Sequence, residues 1–296
     1  MNVLTQDELV HVQHARAERQ MLCLEGPTDR FAHLCTPGAL LEMLAALELS
    51  AERVALVHEG KECVPQAYRL ENGLCDLAKI EKLMHAGAAL LVTKLHLIDR
   101  QIWRLSKSLS LAFGVPVNVN VYLSGPNSQG FSKHVDHHDV LVLQVQGQKS
   151  WFAAPPTLDE PVVLPDHMGE APGHAEWETT LNSGQALFLP RGWWHWATGV
   201  RNEGSLHLSC GIEPLTAIHF INSLRTRLMK EKDFRRDVPL RGDVQGDEDY
   251  VQALRSILSE ALSADEVAKF RASREVKLGE ELDALEIRIW GDVEEH

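Results

Sequence analysis

The sequence predicts a mainly β protein with flanking helices, and three observations predict it. Between residues 116 and 213 the chain runs in short alternating stretches separated by Gly, Pro, Asn and Asp, the pattern of a β-sandwich or barrel. On either side of that stretch, apolar residues recur at helical spacing. Inside it, two polar clusters, "KHVDHHD" (133–139) and "PRGWWH" (190–195), each adjoin a strand-like run.

The elements follow in order. Residues 1–22 are polar and read as a helix or a loose leader. "TPGALLEMLAAL" (36–47) reads as a helix opened by a Thr cap and an early Pro. "ERVALVHEGKECV" (52–64) reads as a short strand and a turn, and "DLAKIEKLMHAGAALLVTKLHLI" (76–98) as a helix and then a buried strand. In "DRQIWRLSKSLSLAFG" (99–114), Ile102, Trp103, Leu105, Leu109 and Leu111 share helical spacing, and Gly114 supplies a stop. "PVNVNVYL" alternates with period two. "DVLVLQVQGQKSWFA" reads as two strands around Gly147, and "QALFLP" and "SLHLSCGI" as further strands. Beyond residue 214, "AIHFINSLRTRLMKEKDF" and "DYVQALRSILSEALSADEVAKF" are amphipathic, with "RGDVQGDEDY" (241–250) as a loop between them. The expected division is a mixed helix and strand part (1–99), a β core (100–213) and a helical region (214–296).

Composition narrows the function classes. The chain has 296 residues, 44% hydrophobic and 24% charged, an ordinary globular balance. Its formal net charge is −13, and no dense Lys/Arg block offers a nucleic-acid face. Five cysteines, none in a C-x-x-C pair, suit reduced thiols in the cytoplasm. The first twenty residues are too polar for a signal peptide, and "HAGAALLVTKLHLI" is too short to span a membrane.

Side chains on a strand alternate faces, so His134 and Asp136 point the same way with Val135 opposite. Further on, "GQALFLPRGWWH" (184–195) has the form G-x5-P-x-G-x2-H, the second signature of cupin-type double-stranded β-helix barrels. His134, Asp136 and His195 then make two imidazoles and one carboxylate, a set that leaves coordination positions open and suits non-haem Fe(II). A lone H-x-D, or a lone Pro-x-Gly-x-x-His, is common by chance; the two together in this order are specific. His138 shares the parity of His134 and Asp136 and is the rival ligand, while His137 and Asp139 read as neighbours of the site. Such an iron site works with 2-oxoglutarate, whose far carboxylate needs a buried cation. Lys149, in the strand after the metal motif, is the candidate. Asn120 and Tyr122 are candidate donors to the cavity, whereas Asn118, His207 and Ser209 read as a water-facing strand surface.

The stretch "NVNVYLSGPNSQGFSKHVDHHDVLVLQVQGQKSW" resembles the JmjC-like cupin family that contains the ribosomal oxygenases. N-x-Y, P-x-S-Q-G-F, H-x-D, Q-x-x-G-x-K-x-W and P-x-G-x-x-H occur in the family's order and spacing, and the likeness covers residues 20 to 235. The resemblance implies a double-stranded β-helix, or cupin/JmjC jelly roll. It implies Fe(II) held by His134, Asp136 and His195, with 2-oxoglutarate held by Lys149, Tyr122, Asn120 and Ser209. The implied activity is O2-dependent hydroxylation of a residue in a protein or peptide substrate. Relatives with ribosomal substrates continue after the barrel into a helical dimerisation region and a winged helix; here "AIHFINSLRTRLMKEKDFRRDVP" resembles the dimerisation segment, a full winged helix is not expected, and the helices suit either a homodimer or packing back onto their own barrel. Three alternatives share parts of this reading: an N-methyl-lysine demethylase, a hydroxylase of a free amino acid or natural-product peptide, and a non-oxygenase metal-binding cupin. Trp193, Trp194 and Trp196 stand beside the expected barrel mouth, where packing is the commoner use of aromatic residues.

Overall fold

The computed structural model describes residues 3–46, 53–126, 128, 130–165, 169–239 and 244–291. It divides into two compact units, Met1–Pro214 and Leu215–His296.

The first unit opens with helix α1 (Gln6–Ala17). Thr5 and Glu8 form a reciprocal capping box that satisfies two otherwise orphaned amides, so the polar N-terminal stretch is a defined helix. Strand β1 (Leu22–Leu24) and helix α2 (Pro37–Ala46) follow, and the Thr36 hydroxyl accepts from the Ala39 amide at 3.2 Å. Next come β2 (Val54–His58), β3 (Lys61–Glu62), α3 (Leu77–His85) capped by Asp76, and β4 (Ala89–Val92). Helix α4 (Arg100–Phe113) is capped by Asp99 and stopped by Gly114 in the left-handed region. It buries Ile102, Trp103, Leu105 and Leu109; Leu111, placed on the same stripe by the sequence reading, is exposed.

Six strands complete the unit: β5 (Val117–Ser124), β6 (Asp139–Ala154), β7 (Trp177–Asn182), β8 (Ala186–Leu189), β9 (Trp194–Gly199) and β10 (Ser205–Ile212). Among the described residues the main sheet runs β1-β8-β6-β10-β5-β4-β2-β3, and β7 and β9 pair with the far half of β6. Among the described residues every pairing between these strands is antiparallel. This is the sheet-rich jelly roll expected of the sequence, with helices at its flank.

β6, expected as two strands around Gly147, is one strand of 16 residues that changes sheets there. Val140–Leu143 pair with β8, whereas Gln148–Ala153 pair with β7 and Lys149–Ala154 with β9. Gly147 has φ +69°, and a Cβ at this position would collide with the carbonyl oxygen of Gly204. Glycine is therefore required where the strand bends. The bend carries Lys149 onto the same interior as β5 and β10.

The core lies between the two sheets. Val140, Val142, Trp151, Ala153, Leu181, Leu187 and Leu189 pack together within it. β8 is buried at all four positions, which explains its uninterrupted apolar run.

The second unit contains α5 (Ala217–Leu228), α6 (Lys232–Arg235), α7 (Val244–Ala261) and α8 (Ala264–Trp290). Phe220, Leu224 and Ala261 form its small core with Leu228 and Phe270. The expected loop at 241–250 is instead helical from Val244 onward, while residues 241–243 lie outside the described residues. Asp247 sits in the first turn of α7, where a negative charge complements the helix dipole. No helix of the described residues is long and apolar enough to cross a membrane.

Candidate metal centre

His134, Asp136 and His195 converge, with one ligand atom from each lying within 4.8 Å of the others. The convergence does not come from the side-chain alternation of a regular strand. His134 makes a single antiparallel bridge to His195, and residues 135–138 are irregular up to the start of β6. The bridge is reciprocal: the His134 amide donates to the His195 carbonyl at 3.2 Å, and the His195 amide returns the bond at 2.9 Å. Val135 faces the other way and packs with Ala154 and Trp194.

Both rings are oriented alike. His134 Nδ1 lies 2.9 Å from the Ser132 carbonyl oxygen, and His195 Nδ1 lies 3.1 Å from that of Trp193. A carbonyl oxygen only accepts, so each Nδ1 carries a hydrogen and each Nε2 is left as the atom that can ligate, His195 Nε2 standing 3.5 Å from Asp136 Oδ2. Burial, with His195 beside it, lowers the His134 pKa to about 4, so that ring is neutral near pH 7. Burial also works against charge on His195, but the hydrogen bond and charge of Asp136 outweigh it and raise its pKa. Burial would raise the Asp136 pKa, yet its hydrogen bond to His195 and the surrounding histidines hold the carboxyl well below the usual carboxylate range. Two neutral-capable imidazoles and an ionised carboxylate fit Fe(II).

The neighbouring polar residues have separate tasks. His138 Nε2 is 3.9 Å from Asp136 Oδ2, and its ring lies over Gly211, where a Cβ would sit 2.7 Å from it. It is absent from the converging trio. His137 packs edge-on to His138. Asp139, the first residue of β6, is only 1% exposed and accepts from three donors. These are Arg16 Nε at 2.7 Å, the Arg191 amide at 2.9 Å and Arg19 Nη1 at 3.3 Å. Because the Gly192 amide also donates to the Asp136 carbonyl at 3.0 Å, the turn that leads into His195 is tied to the segment that carries Asp136.

A cavity of about 630 Å³, including its open mouth, leads to this centre. Lys149 lines it, 2% exposed, with Nζ donating to Ser124 Oγ at 2.8 Å. Burial lowers its pKa to about 8, and no carboxylate pairs with it among the described residues. Tyr122 and Ser209 also line the cavity. Burial and the Asp136 charge raise the Tyr122 pKa, so its phenol keeps its proton.

Asn120 does not join them. It shares the face of Tyr122 and pairs across the strands with Ser209, but its side-chain oxygen accepts from the Lys94 amide at 2.9 Å. It thereby fixes a residue held at φ +52°. His207 reverses its expectation: it is not water-facing but 3% exposed and in the cavity, stacked on Tyr122 at 4.8 Å. Asn118 donates to Glu213. Ser124 and Trp151, passed over in the sequence, line the cavity as well. For Ser124 the signal was present, since it continues the Tyr122 face two residues on.

The three tryptophans differ. Trp194 is buried behind the ligands, and Trp193 packs against the core. Trp196 lines the cavity, stacked on Phe152, with Lys133 Nζ 4.4 Å from its ring centroid. In the Pro-Asn-Ser-Gln-Gly-Phe turn, residues 127 and 129 lie outside the described residues.

Residues 91–220 match the family model of the JmjC domain. A bifunctional lysine-specific demethylase and histidyl-hydroxylase of Drosophila persimilis is 36% identical over 110 residues, 37% of this chain and 16% of that protein. The human ribosomal oxygenase 1 is 34% identical over 131 residues, 43% of this chain and 20% of that protein. The chain thus spans about a fifth or less of the length of these two curated relatives. The crystal structure of the Escherichia coli ribosomal oxygenase YcfD superposes with a TM-score of 0.55 at 15% identity, covering 88% of this chain and 68% of that one. The same protein in complex with cobalt and 2-oxoglutarate gives 0.54 at 17%, covering 83% and 64%. These superpositions establish a shared fold.

Proposed function

We propose, from the premise that residues 91–220 form a JmjC domain, that this chain is an Fe(II)- and 2-oxoglutarate-dependent dioxygenase that hydroxylates a residue in a protein or peptide. The observation that carries the reading is Lys149. A buried ammonium without a carboxylate partner is costly unless an anion joins it, and it shares one cavity with the trio of ligands.

His134, Asp136 and His195 would hold the iron. When bound, iron with 2-oxoglutarate and O2 supplies oxidative decarboxylation to succinate and CO2, coupled to placing one oxygen atom in a substrate C–H bond. The chain does the rest by geometry. Ser132 and Trp193 keep both imidazoles in the ligating tautomer. Lys149, with Ser124 fixing its Nζ, and the protonated Tyr122 would receive the far carboxylate of 2-oxoglutarate. Val57, Ala89, Leu91 and Phe131 give the cavity an apolar wall that limits water.

Asp136 is the one acidic residue lining the cavity among those described, and ligation would occupy it. That favours hydroxylation over removal of a methyl group from a methylammonium side chain, which calls for a partner of its own. The named activities of the relatives support a protein substrate. Ile218, Ile221 and Met229, exposed on and just beyond α5, support self-association, and free cysteines support a cytoplasmic setting. The test is incubation with a peptide pool, Fe(II), 2-oxoglutarate and O2. A peptide that gains about 16 mass units with wild type but not with His134→Ala supports hydroxylation; loss of a methyl group instead would favour demethylation.

A further inference from the structure

Lys149 and Ser124 do not complete the polar floor of the cavity. His207 on β10 stands directly opposite Tyr122 on β5, and a register shift between Leu206 and His207 sets its position. The ring is held on two sides, stacked on Tyr122 at 4.8 Å with 6° between planes and edge-on to Trp151 at 5.4 Å. Its Nδ1 is buried and has no hydrogen-bond partner. Burial and the Lys149 charge keep the ring neutral, so one nitrogen carries a hydrogen and one a lone pair. A rigid imidazole with an unpartnered, buried nitrogen, next to an ammonium without a counterion, marks a place where a ligand completes the bonding.

We infer that His207 is a binding residue for the cosubstrate, a ring N–H donating to the far carboxylate of 2-oxoglutarate beside Lys149 Nζ and Ser124 Oγ. The inference rests on the oxygenase reading and deepens it. A carboxylate there would accept from Lys149 and His207 together, which selects a dicarboxylate over a 2-oxo acid that ends in a methyl group. The stack on Tyr122 places the donor in advance, so no rotamer has to be ordered on binding.

The test is calorimetric binding to the protein loaded with Zn(II), which permits no turnover. Wild type, Lys149→Ala and His207→Phe are each titrated with 2-oxoglutarate and with 2-oxobutyrate, which has the same 2-oxo acid end but lacks the far carboxylate. Phe preserves the stack and removes the donor. The expected result is that His207→Phe weakens 2-oxoglutarate by about tenfold or more and leaves Zn(II) and 2-oxobutyrate affinity unchanged. Affinity for 2-oxoglutarate that falls in Lys149→Ala but holds in His207→Phe overturns this inference alone. Zn(II)-loaded wild type that binds no 2-oxoglutarate overturns it together with the oxygenase reading. Should His207→Phe not fold, the wild-type ring reports directly, its resonances identified by their absence in His207→Gln. A shift of its imidazole 15N resonances with 2-oxoglutarate and not with 2-oxobutyrate supports the assignment, and unmoved resonances overturn it.

Discussion

His134 and His195 are bound to one another through both of their backbone hydrogen bonds, at 3.2 and 2.9 Å, and their ring centroids lie 4.2 Å apart. One histidine comes from the irregular approach to β6 and the other from β9. The backbone bridge therefore sets their separation before any metal arrives, and each ring is further fixed by a carbonyl two residues upstream.

Asp139 extends that preorganisation. Its buried carboxylate holds the Arg191 amide, next to the turn that precedes His195, and two arginines of the N-terminal segment. Asp139→Asn keeps the shape and removes the charge. Metal affinity, measured by equilibrium dialysis with Mn(II) or Zn(II), falls about 10- to 100-fold, and unfolding stability falls by about 3 kcal/mol because the arginines lose a buried partner. His134→Ala abolishes metal binding with little loss of stability.

Lys149 gives the apo protein a defined pH dependence. Its pKa is about 8 when folded, against an ordinary lysine value of 10.5. Between those values the unfolded chain holds a proton that the folded one has released. Stability contributed by this group therefore rises as pH climbs from about 8 to 10.5 and is flat below 8. Binding of 2-oxoglutarate runs the opposite way, weakening as pH rises past 8 and the ammonium is lost. Chemical denaturation and calorimetric titration at pH 7, 8.5 and 10, each read as the difference between wild type and Lys149→Met, check both signs, because cysteines whose pKa burial raises also titrate in this range. Lys149→Met stabilises the apo protein by roughly 3 kcal/mol at pH 7 and removes this residue's share of the pH dependence of both quantities.

Gly147 tests the barrel itself. Gly147→Ala forces an L side chain to φ +69° and into the Gly204 carbonyl. The expected cost is about 2 kcal/mol or more. Thermal melting followed by circular dichroism reads it, and Lys149, two residues on, loses its placement, so affinity for 2-oxoglutarate falls as well.

Trp196 stands in the cavity wall, stacked on Phe152. Trp196→Ala is expected to raise KM for a peptide substrate while leaving 2-oxoglutarate affinity within about twofold. Steady-state kinetics on the first peptide found to gain oxygen separates the two.

The convergence of His134, Asp136 and His195 was legible in the sequence because their types and order are restrictive: H-x-D, then P-x-G-x-x-H. The alternation of β5 likewise told which residues share a face. It did not tell which of them the cavity uses. Asn120 has the same parity as Tyr122, but the Lys94 amide claims its side chain, and that amide comes from a connection after β4 whose path no local pattern encodes. His207 was misread because polar residues on an alternating strand signal a wet face only when one face is wet. β10 lies between β5 and β6, and seven of its eight residues are buried. The break assigned at Gly147 failed for a related reason: a glycine ends many strands, and here it lets one strand serve two sheets. The start of α7 was hidden by Gly and Asp residues that favour loops in isolation and helix starts in context.

The proposed oxygenase joins an iron site to a carboxylate site in one cavity. The most direct measurement of this is succinate formation from 2-oxoglutarate after O2 is admitted to anaerobic protein with Fe(II), with wild type beside His134→Ala and Lys149→Ala. Succinate from wild type that is lost in both variants is the predicted result. Wild-type protein that binds Fe(II) but forms no succinate, or succinate that persists without Lys149, would contradict it.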